Sequence, residues 1–209
     1  VSKTVLPFES RKHFVSIGNF LHAPNADAVR FLKSSIWPLI RKALPSAELH
    51  VYGAYADQKP MALHDPGTGF LVKGRAEDAR EVVGKARVML APLRFGAGLK
   101  GKLLDAMVCE TPSITTSIGV EGMHGNHAWP GAVSDDPVAF AEQAIELYTS
   151  QKQWEEARMR CGVILNSCYS KGNFSGDFLQ RLEYLRDNLD EHRNHNFIGS
   201  MLWHHSLRS

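Results

Sequence analysis

A segment with no polar face, running through glycines into a helix, constrains this chain more than any other feature. Arg87 to Pro92 reads RVMLAP, and its Val88-Met89-Leu90-Ala91 are apolar on both alternating faces. A strand without a polar face must be covered on both sides, the situation of a central strand in a parallel sheet flanked by helices. Glycines follow at Gly96, Gly98 and Gly101, and Lys100 to Glu110 then carries helical spacing.

The rest of the chain repeats the alternation. His13 to Gly18, Leu49 to Gly53, Gly69 to Lys73, Pro112 to Thr116 and Ala132 to Ser134 read as the other strands. Ala26 to Leu44 and Glu77 to Lys85 read as helices, the first with a kink expected at Trp37-Pro38. A stretch rich in turn residues runs from Asp57 to Gly67. From Pro137 onward the pattern is helical, with helices expected at Pro137 to Thr149, Gln153 to Ser167 and Gly176 to His192. The predicted fold class is α/β: a doubly wound parallel sheet of about six strands with a helical C-terminal extension. The expected division is a linker over 1–12, an α/β domain over 13–170, and the helical extension over 171–209. The opening at Val1, without a methionine, leads to the expectation of upstream sequence.

Such sheets bind ligands beyond the carboxyl ends of their strands, so the loops after Gly18, Gly53, Lys73, Pro92 and Thr116 are the ones to inspect. The loop after Pro92 has the makings of a diphosphate cradle. Glycines let backbone amides approach an anion, a helix N-terminus adds partial positive charge, and Lys100 and Lys102 add full charges. Asp105, about one turn further on, suits a ribose reader, since a carboxylate accepts from two hydroxyl donors. A plain glycine-rich turn before an acidic helix start is the competing reading of the same residues. His22 lies in the first ligand-side loop, as a phosphate or sugar contact or as a loop residue packed near Pro24. His192, His195, His204 and His205 lack the spacing of a compact metal site.

Composition excludes several classes. A formal net charge of +2 on 209 residues gives no field for polyanions, so nucleic acid is not an expected partner. Cys109, Cys161 and Cys168 are odd in number and without zinc-ligand spacing, and read as reduced, buried thiols. No apolar run is long enough to span a bilayer, so a cytoplasmic location is expected, with any peripheral membrane association confined to sequence outside this chain.

The string PLRFGAGLKGKLLDAM followed by CETPSITTSIGVEGM resembles the donor-site signature of glycosyltransferases with the two-domain GT-B architecture, especially the GT4-like, or group 1, enzymes. The resemblance is dense over Ala91 to Met123 and weaker through Phe14 to Asn19 and His22 to Asn25. It implies that the chain is the Rossmann-like donor-binding half of such an enzyme. Gly18, Asn19, Gly96, Ala97, Gly98, Lys100 and Lys102 would then hold the donor diphosphate, and Asp105 would stand for the family's usual ribose-binding glutamate. Lys73, Gly74 and Arg75 would edge against the base, and Glu121 and Gly122 would lie by the sugar. Glu110 occupies a position where the family commonly has glycine. The implied substrate is a nucleoside diphosphate sugar, with no metal and no other cofactor. The acceptor would be held by the N-terminal domain, so the fragment alone would be inactive. The implied transfer is retaining and serves polysaccharide or glycoconjugate synthesis. A nucleotide-sugar epimerase of the same fold and a non-catalytic nucleotide-binding module with a degenerate site are the alternatives.

Overall fold

Short apolar strands and amphipathic helices alternate as the pattern predicts, and the hydrogen bonding between strands sets their order. The computed structural model describes residues 5–55 and 58–206. Residues 1–4 of the expected linker, Asp57, residues 207–209 of the extension, and the side chains of His204 and His205 lie outside the described residues.

The strands are β1 (Phe14–Ile17), β2 (Leu49–Tyr52), β3 (Phe70–Gly74), β4 (Val88–Ala91), β5 (Ser113–Thr115) and β6 (Gly131–Val133). The helices within the sheet domain are α1 (Ala23–Phe31), α2 (Trp37–Ala43), α3 (Gln58–Met61), α4 (Ala79–Lys85), α5 (Gly101–Val108), α6 (Ser117–Val120), α7 (Pro137–Thr149) and α8 (Gln151–Cys168). The sheet has the order β3-β2-β1-β4-β5-β6 and every pairing is parallel. The order reverses direction between β1 and β4. Because parallel crossovers are right-handed, this reversal sends α1 and α2 to one face and α4 and α5 to the other. The packing agrees: α2 lies against α7, and α4 against α5.

On the α1–α2–α7 side Phe14, Leu32, Ile36, Trp37, Ile40, Phe70 and Phe140 are fully buried. Trp37 satisfies its indole N–H on the Thr68 carbonyl at 2.8 Å. The expected kink at Trp37-Pro38 takes a specific form. Leu32–Ile36 is a π-helical turn in which the Trp37 N–H bonds to the Leu32 carbonyl. Pro38 has no N–H to donate to residue 34, and the wider turn clears its ring from that carbonyl.

Within the segment expected as a linker, Arg11 is wholly buried. Its guanidinium donates to the carbonyls of Leu6, Ala86 and Cys109 and to Thr111 Oγ1, at 2.9, 3.3, 3.0 and 2.6 Å. The charge is therefore hydrogen-bonded to four acceptors, which is what makes its burial tolerable. Burial lowers its pKa to about 10. The chain is thus tied down from residue 6 onward.

Glu110 ends α5 in the left-handed region, with φ 49°. Thr111 N–H reaches back to the Ala106 carbonyl at 2.8 Å, closing the helix in the manner usually reserved for glycine. The strain is offset by Arg158 of α8, whose Nη1 lies 2.5 Å from Glu110 Oε2. Exchange to glycine relieves the strain but loses that half-exposed pair and adds unfolded-state freedom. Glu110→Gly is expected to change the unfolding free energy by less than about 1 kcal/mol, and Glu110→Val to lower it by roughly 2 kcal/mol, since a β-branched residue resists this φ. Denaturant titration of the two variants checks the contrast.

At the amino ends of the strands His13 stacks on His50, with ring centroids 4.0 Å apart, and His50 Nε2 lies 2.8 Å from Glu48 Oε2. Burial, then the His50 charge, lower the His13 pKa from 6.5 to about 4, against an opposing effect of Glu48 and with a lesser contribution from Lys73. The unfolded chain therefore binds a proton between these values that the folded chain rejects. The stabilisation is complete above pH 6.5 and is lost as pH falls toward 4. Between pH 7.5 and 4.5 the fold should lose roughly 2–3 kcal/mol through this group. Urea midpoints of His13→Gln, compared with the parent chain at both pH values, should show that increment missing.

The chain divides into two compact units, Val1–Cys168 and Tyr169–Ser209. The second holds α9 (Lys171–Asp187), α10 (Leu189–His195) and α11 (Phe197–Ser206). The single helix expected over 176–192 is thus broken at Asn188, whose φ of −117° and ψ of 26° leave the helical region. Phe178, Leu179, Leu182 and Leu189 are exposed. No described helix is long and apolar enough to cross a membrane. The three cysteines are free thiols.

Candidate functional site

The reversal of strand order between β1 and β4 opens a crevice at their carboxyl ends, because the loops leaving the two strands turn to opposite faces. Two helix N-termini meet there: α1, entered through Asn19 to His22, and α5, entered through Pro92 to Lys100. The cleft between them has a volume of 290 Å³ and is lined by Gly18, His22, Pro24, Asn25, Phe95, Gly96, Ala97, Lys100, Gly101 and Lys102, with Leu93 and Leu99. Larger hollows of 410 Å³ lie at the amino ends of the strands, around Lys12 and Tyr148, and within the C-terminal unit, around His192. Neither is lined by a glycine, so neither offers the close backbone approach that the smaller cleft does.

The glycines are required by geometry. Gly96 and Gly98 have φ of 127° and 74°, in the region that favours glycine. At Gly18 a Cβ would lie 2.7 Å from Asn25 Cγ and 2.8 Å from Lys102 Nζ. Lys102 therefore lies directly over the end of β1. It donates to Asn25 Oδ1 at 2.6 Å, and Asn25 Nδ2 donates to the Asn19 carbonyl at 3.0 Å. Burial lowers the Lys102 pKa from 10.5 to about 8.

Lys100 is only 8% exposed. Its ammonium has no hydrogen-bond partner among the described residues, and the nearest carboxylate oxygen, Glu121 Oε2, is 3.9 Å away. Burying a cation with so few partners carries a desolvation cost that an incoming anion would offset. Two lysines, two helix N-termini and glycine-lined backbone on one cleft are the elements that suit an anion.

The loop is held in place by groups outside the cleft. Arg94 makes two hydrogen bonds to Asp27 of α1, at 2.8 and 2.5 Å, and lies 4.7 Å over the Phe31 ring. The Arg94 hydrogen bond holds the Asp27 carboxyl below its ordinary pKa. Thr115 Oγ1 donates to the Ala91 carbonyl at 2.7 Å, and Thr116 Oγ1 to that of Leu93.

Of the residues singled out in the sequence, Gly18, Gly96, Ala97, Lys100 and Lys102 line this cleft. Asn19 joins it through Asn25, and Glu121, followed by Gly122 at φ 70°, through Lys100. Asp105 is not among the lining residues; it stands one turn along α5 and is bound by Arg80 of α4 at 2.9 Å. Lys73, Gly74 and Arg75 end β3, two strands from β1 and apart from the cleft. Gly74 accepts from the Gly53 N–H at 2.8 Å, and Lys73 and Arg75 are exposed. Asn25 is the cleft residue that sequence reasoning passed over. Its position just after Pro24, at the start of a helix, was the available signal. Among the described residues no group of three or more His, Cys, Asp or Glu is placed to hold a metal ion.

Comparison with known proteins places this geometry. The sequence model of a family described as glycosyl transferases group 1 matches residues 11–150. A 44.6 kDa protein of the cps region of Klebsiella pneumoniae is 24% identical over 170 residues, 78% of this chain and 44% of that protein. The structure of the pneumococcal O-GlcNAc transferase GtfA, in complex with UDP and GlcNAc, superposes with a TM-score of 0.65 at 16% identity, covering 87% of this chain and 38% of that one. The structure of Anabaena HepE, in complex with UDP and glucose, does so with a TM-score of 0.64 at 10% identity, covering 83% and 48%. The chain thus spans less than half the length of each of these proteins.

Proposed function

The chain belongs to the group 1 glycosyltransferases, and we propose from that premise that its cleft between β1 and β4 binds the diphosphate of a nucleoside diphosphate sugar. The sugar passes to an acceptor held mainly by sequence outside this chain. The observation that carries the reading is the buried Lys100 ammonium, without a hydrogen-bond partner among the described residues, beside Lys102 and the N-terminus of α5. Negative charge grows on the donor's β-phosphate as the glycosidic bond breaks. Fixed amides and lysines already aimed at that oxygen lower the barrier without reorganising.

In this reading Lys100, Lys102 and the amides of Gly96 to Gly101 take the charge that a divalent metal takes in other enzymes, so donor binding is metal-independent. Asp105 reads the ribose, the Lys73–Gly74–Arg75 turn edges the base, and Glu121 and Gly122 border the sugar. Retention of configuration, a GT4-like subtype, polysaccharide or glycoconjugate synthesis and a cytoplasmic location extend the proposal on the strength of the sequence resemblance. The fragment alone binds donor weakly and transfers little, because the acceptor side is absent.

Calorimetric titration with uridine, guanosine and adenosine diphosphates, with and without magnesium, tests this. UDP comes first, since the GtfA and HepE structures are described as complexes with it. Saturable binding of one nucleotide, unchanged by magnesium, supports the reading. Failure of all of them, or binding only with magnesium, reduces it to a likeness of fold.

A further inference from the structure

Asp105 is braced from a neighbouring helix. Arg80, in the first turn of α4, donates from Nε to Asp105 Oδ1 at 2.9 Å. The arginine's own backbone is held on both sides: its N–H bonds to Asp78 Oδ1 at 2.8 Å, and its carbonyl accepts from Cys109 Sγ at 3.4 Å. The guanidinium thus leaves a fixed point on α4, and α4 packs directly on α5.

The contact uses one N–H and one carboxylate oxygen. Oδ2 and the second lone pair of Oδ1 stay open to other donors. Asp105 follows Lys102, which lines the cleft, by three residues and so lies about one turn further along α5. The turn that ends β3, the proposed base edge, leads along the chain into α4, which carries Arg80. The side chains of Arg80 and Asp105 are 59% and 34% exposed, so the pair itself adds little to stability. An exposed pair linking two helices beside a ligand cleft is better explained by what it orients.

We propose that Arg80 is a positioning residue for ribose recognition, holding Asp105 so that its free oxygen faces the hydroxyls of a bound nucleotide. The proposal rests on the donor-site reading above and deepens it. Ribose selectivity in this chain is then the work of two helices, α4 and α5, and depends on a residue that does not touch the nucleotide.

The test compares uridine, guanosine and adenosine diphosphates with their 2′,3′-dideoxy counterparts on the parent chain, Asp105→Ala, Arg80→Ala and Arg80→Lys. Hydrogen bonds from two hydroxyls to a carboxylate should favour the ribonucleotide by roughly 10- to 100-fold in the parent. Arg80→Ala should cut that ratio to within about threefold of the Asp105→Ala value while leaving dideoxy affinity unchanged, and Arg80→Lys should restore part of it. Circular dichroism confirms that each variant is folded. An undiminished ratio in Arg80→Ala, or tighter ribonucleotide binding because Arg80 competes for Asp105, overturns the inference and leaves the donor site standing. Absence of nucleotide binding by the parent chain overturns both.

Discussion

Replacing Lys100 by methionine should weaken nucleoside diphosphate binding by roughly 30- to 100-fold while leaving the fold as stable as before or up to about 1 kcal/mol more stable. The two effects share one cause. In the free protein the side chain is 8% exposed and its ammonium has no hydrogen-bond partner among the described residues, so its removal ends a desolvation cost. Methionine fills the same volume without a charge. In the complex the same ammonium donates to a phosphate oxygen, a charge-assisted bond for which methionine has no replacement. Stability and affinity therefore move apart, the behaviour expected of a residue kept for binding. Thermal unfolding and calorimetry on one preparation read both quantities. Loss of stability with unchanged affinity would make Lys100 a core residue of the β4–α5 loop instead.

Raising the pH from 8 to 9.5 should weaken binding by about tenfold per unit, through Lys102 alone. Its pKa in the free protein is lowered to about 8 by burial. A bound diphosphate favours the charged form and returns the pKa toward its ordinary value, so binding above pH 8 must draw in a proton. Below that pH the ammonium is already charged and affinity levels off. Calorimetry at pH 8.5 in buffers of different ionisation enthalpy should show net proton uptake. Lys102→Arg, which keeps its charge throughout, should bind independently of pH over this interval. A flat profile in the parent chain would mean that Lys102 does not meet the anion.

Much of the scaffold was open to reading because its central parallel strands, β1, β4 and β5, are buried on both faces. Val88–Ala91 and Phe14–Ile17 carry no polar alternation to confuse, and glycine or proline marks where several strands stop. The start of α7 was legible at Pro137, a first-turn proline, to which the structure adds Asp136 as the cap. The C-terminal helices were less legible. Nothing in the local spacing of Leu182, Leu185 and Leu189 announces that Asn188 leaves the helical region. The π-turn before Trp37-Pro38 was visible as a disturbance but not as a conformation, since several backbone routes clear a proline ring.

The site divides in the same way. Glycines and lysines near one another in sequence were readable as an anion loop because the chemistry is local. Contacts that depend on strand order were not. Lys102 meets Asn25 across 77 positions, Arg94 meets Asp27 across 67, and Asp105 meets Arg80 across 25. Each of these pairs joins elements from different βα units. Glu110 is the instructive intermediate: its departure from the family's glycine was evident, and the structure supplies both the left-handed backbone and the Arg158 contact that accompanies it.

The central claim is that a nucleoside diphosphate seats its phosphates on the backbone amides where β4 gives way to α5. Titration of the isotopically labelled chain with UDP, GDP and ADP, followed through amide nitrogen and proton shifts, tests it directly. The account predicts saturable shifts, largest at Gly96, Gly98 and Gly101, accompanied by Gly18 at the end of β1, with Lys102→Ala abolishing them at the same nucleotide concentration. Shifts centred instead on the hollow around His192, or none along residues 96–101 at saturation, would contradict it.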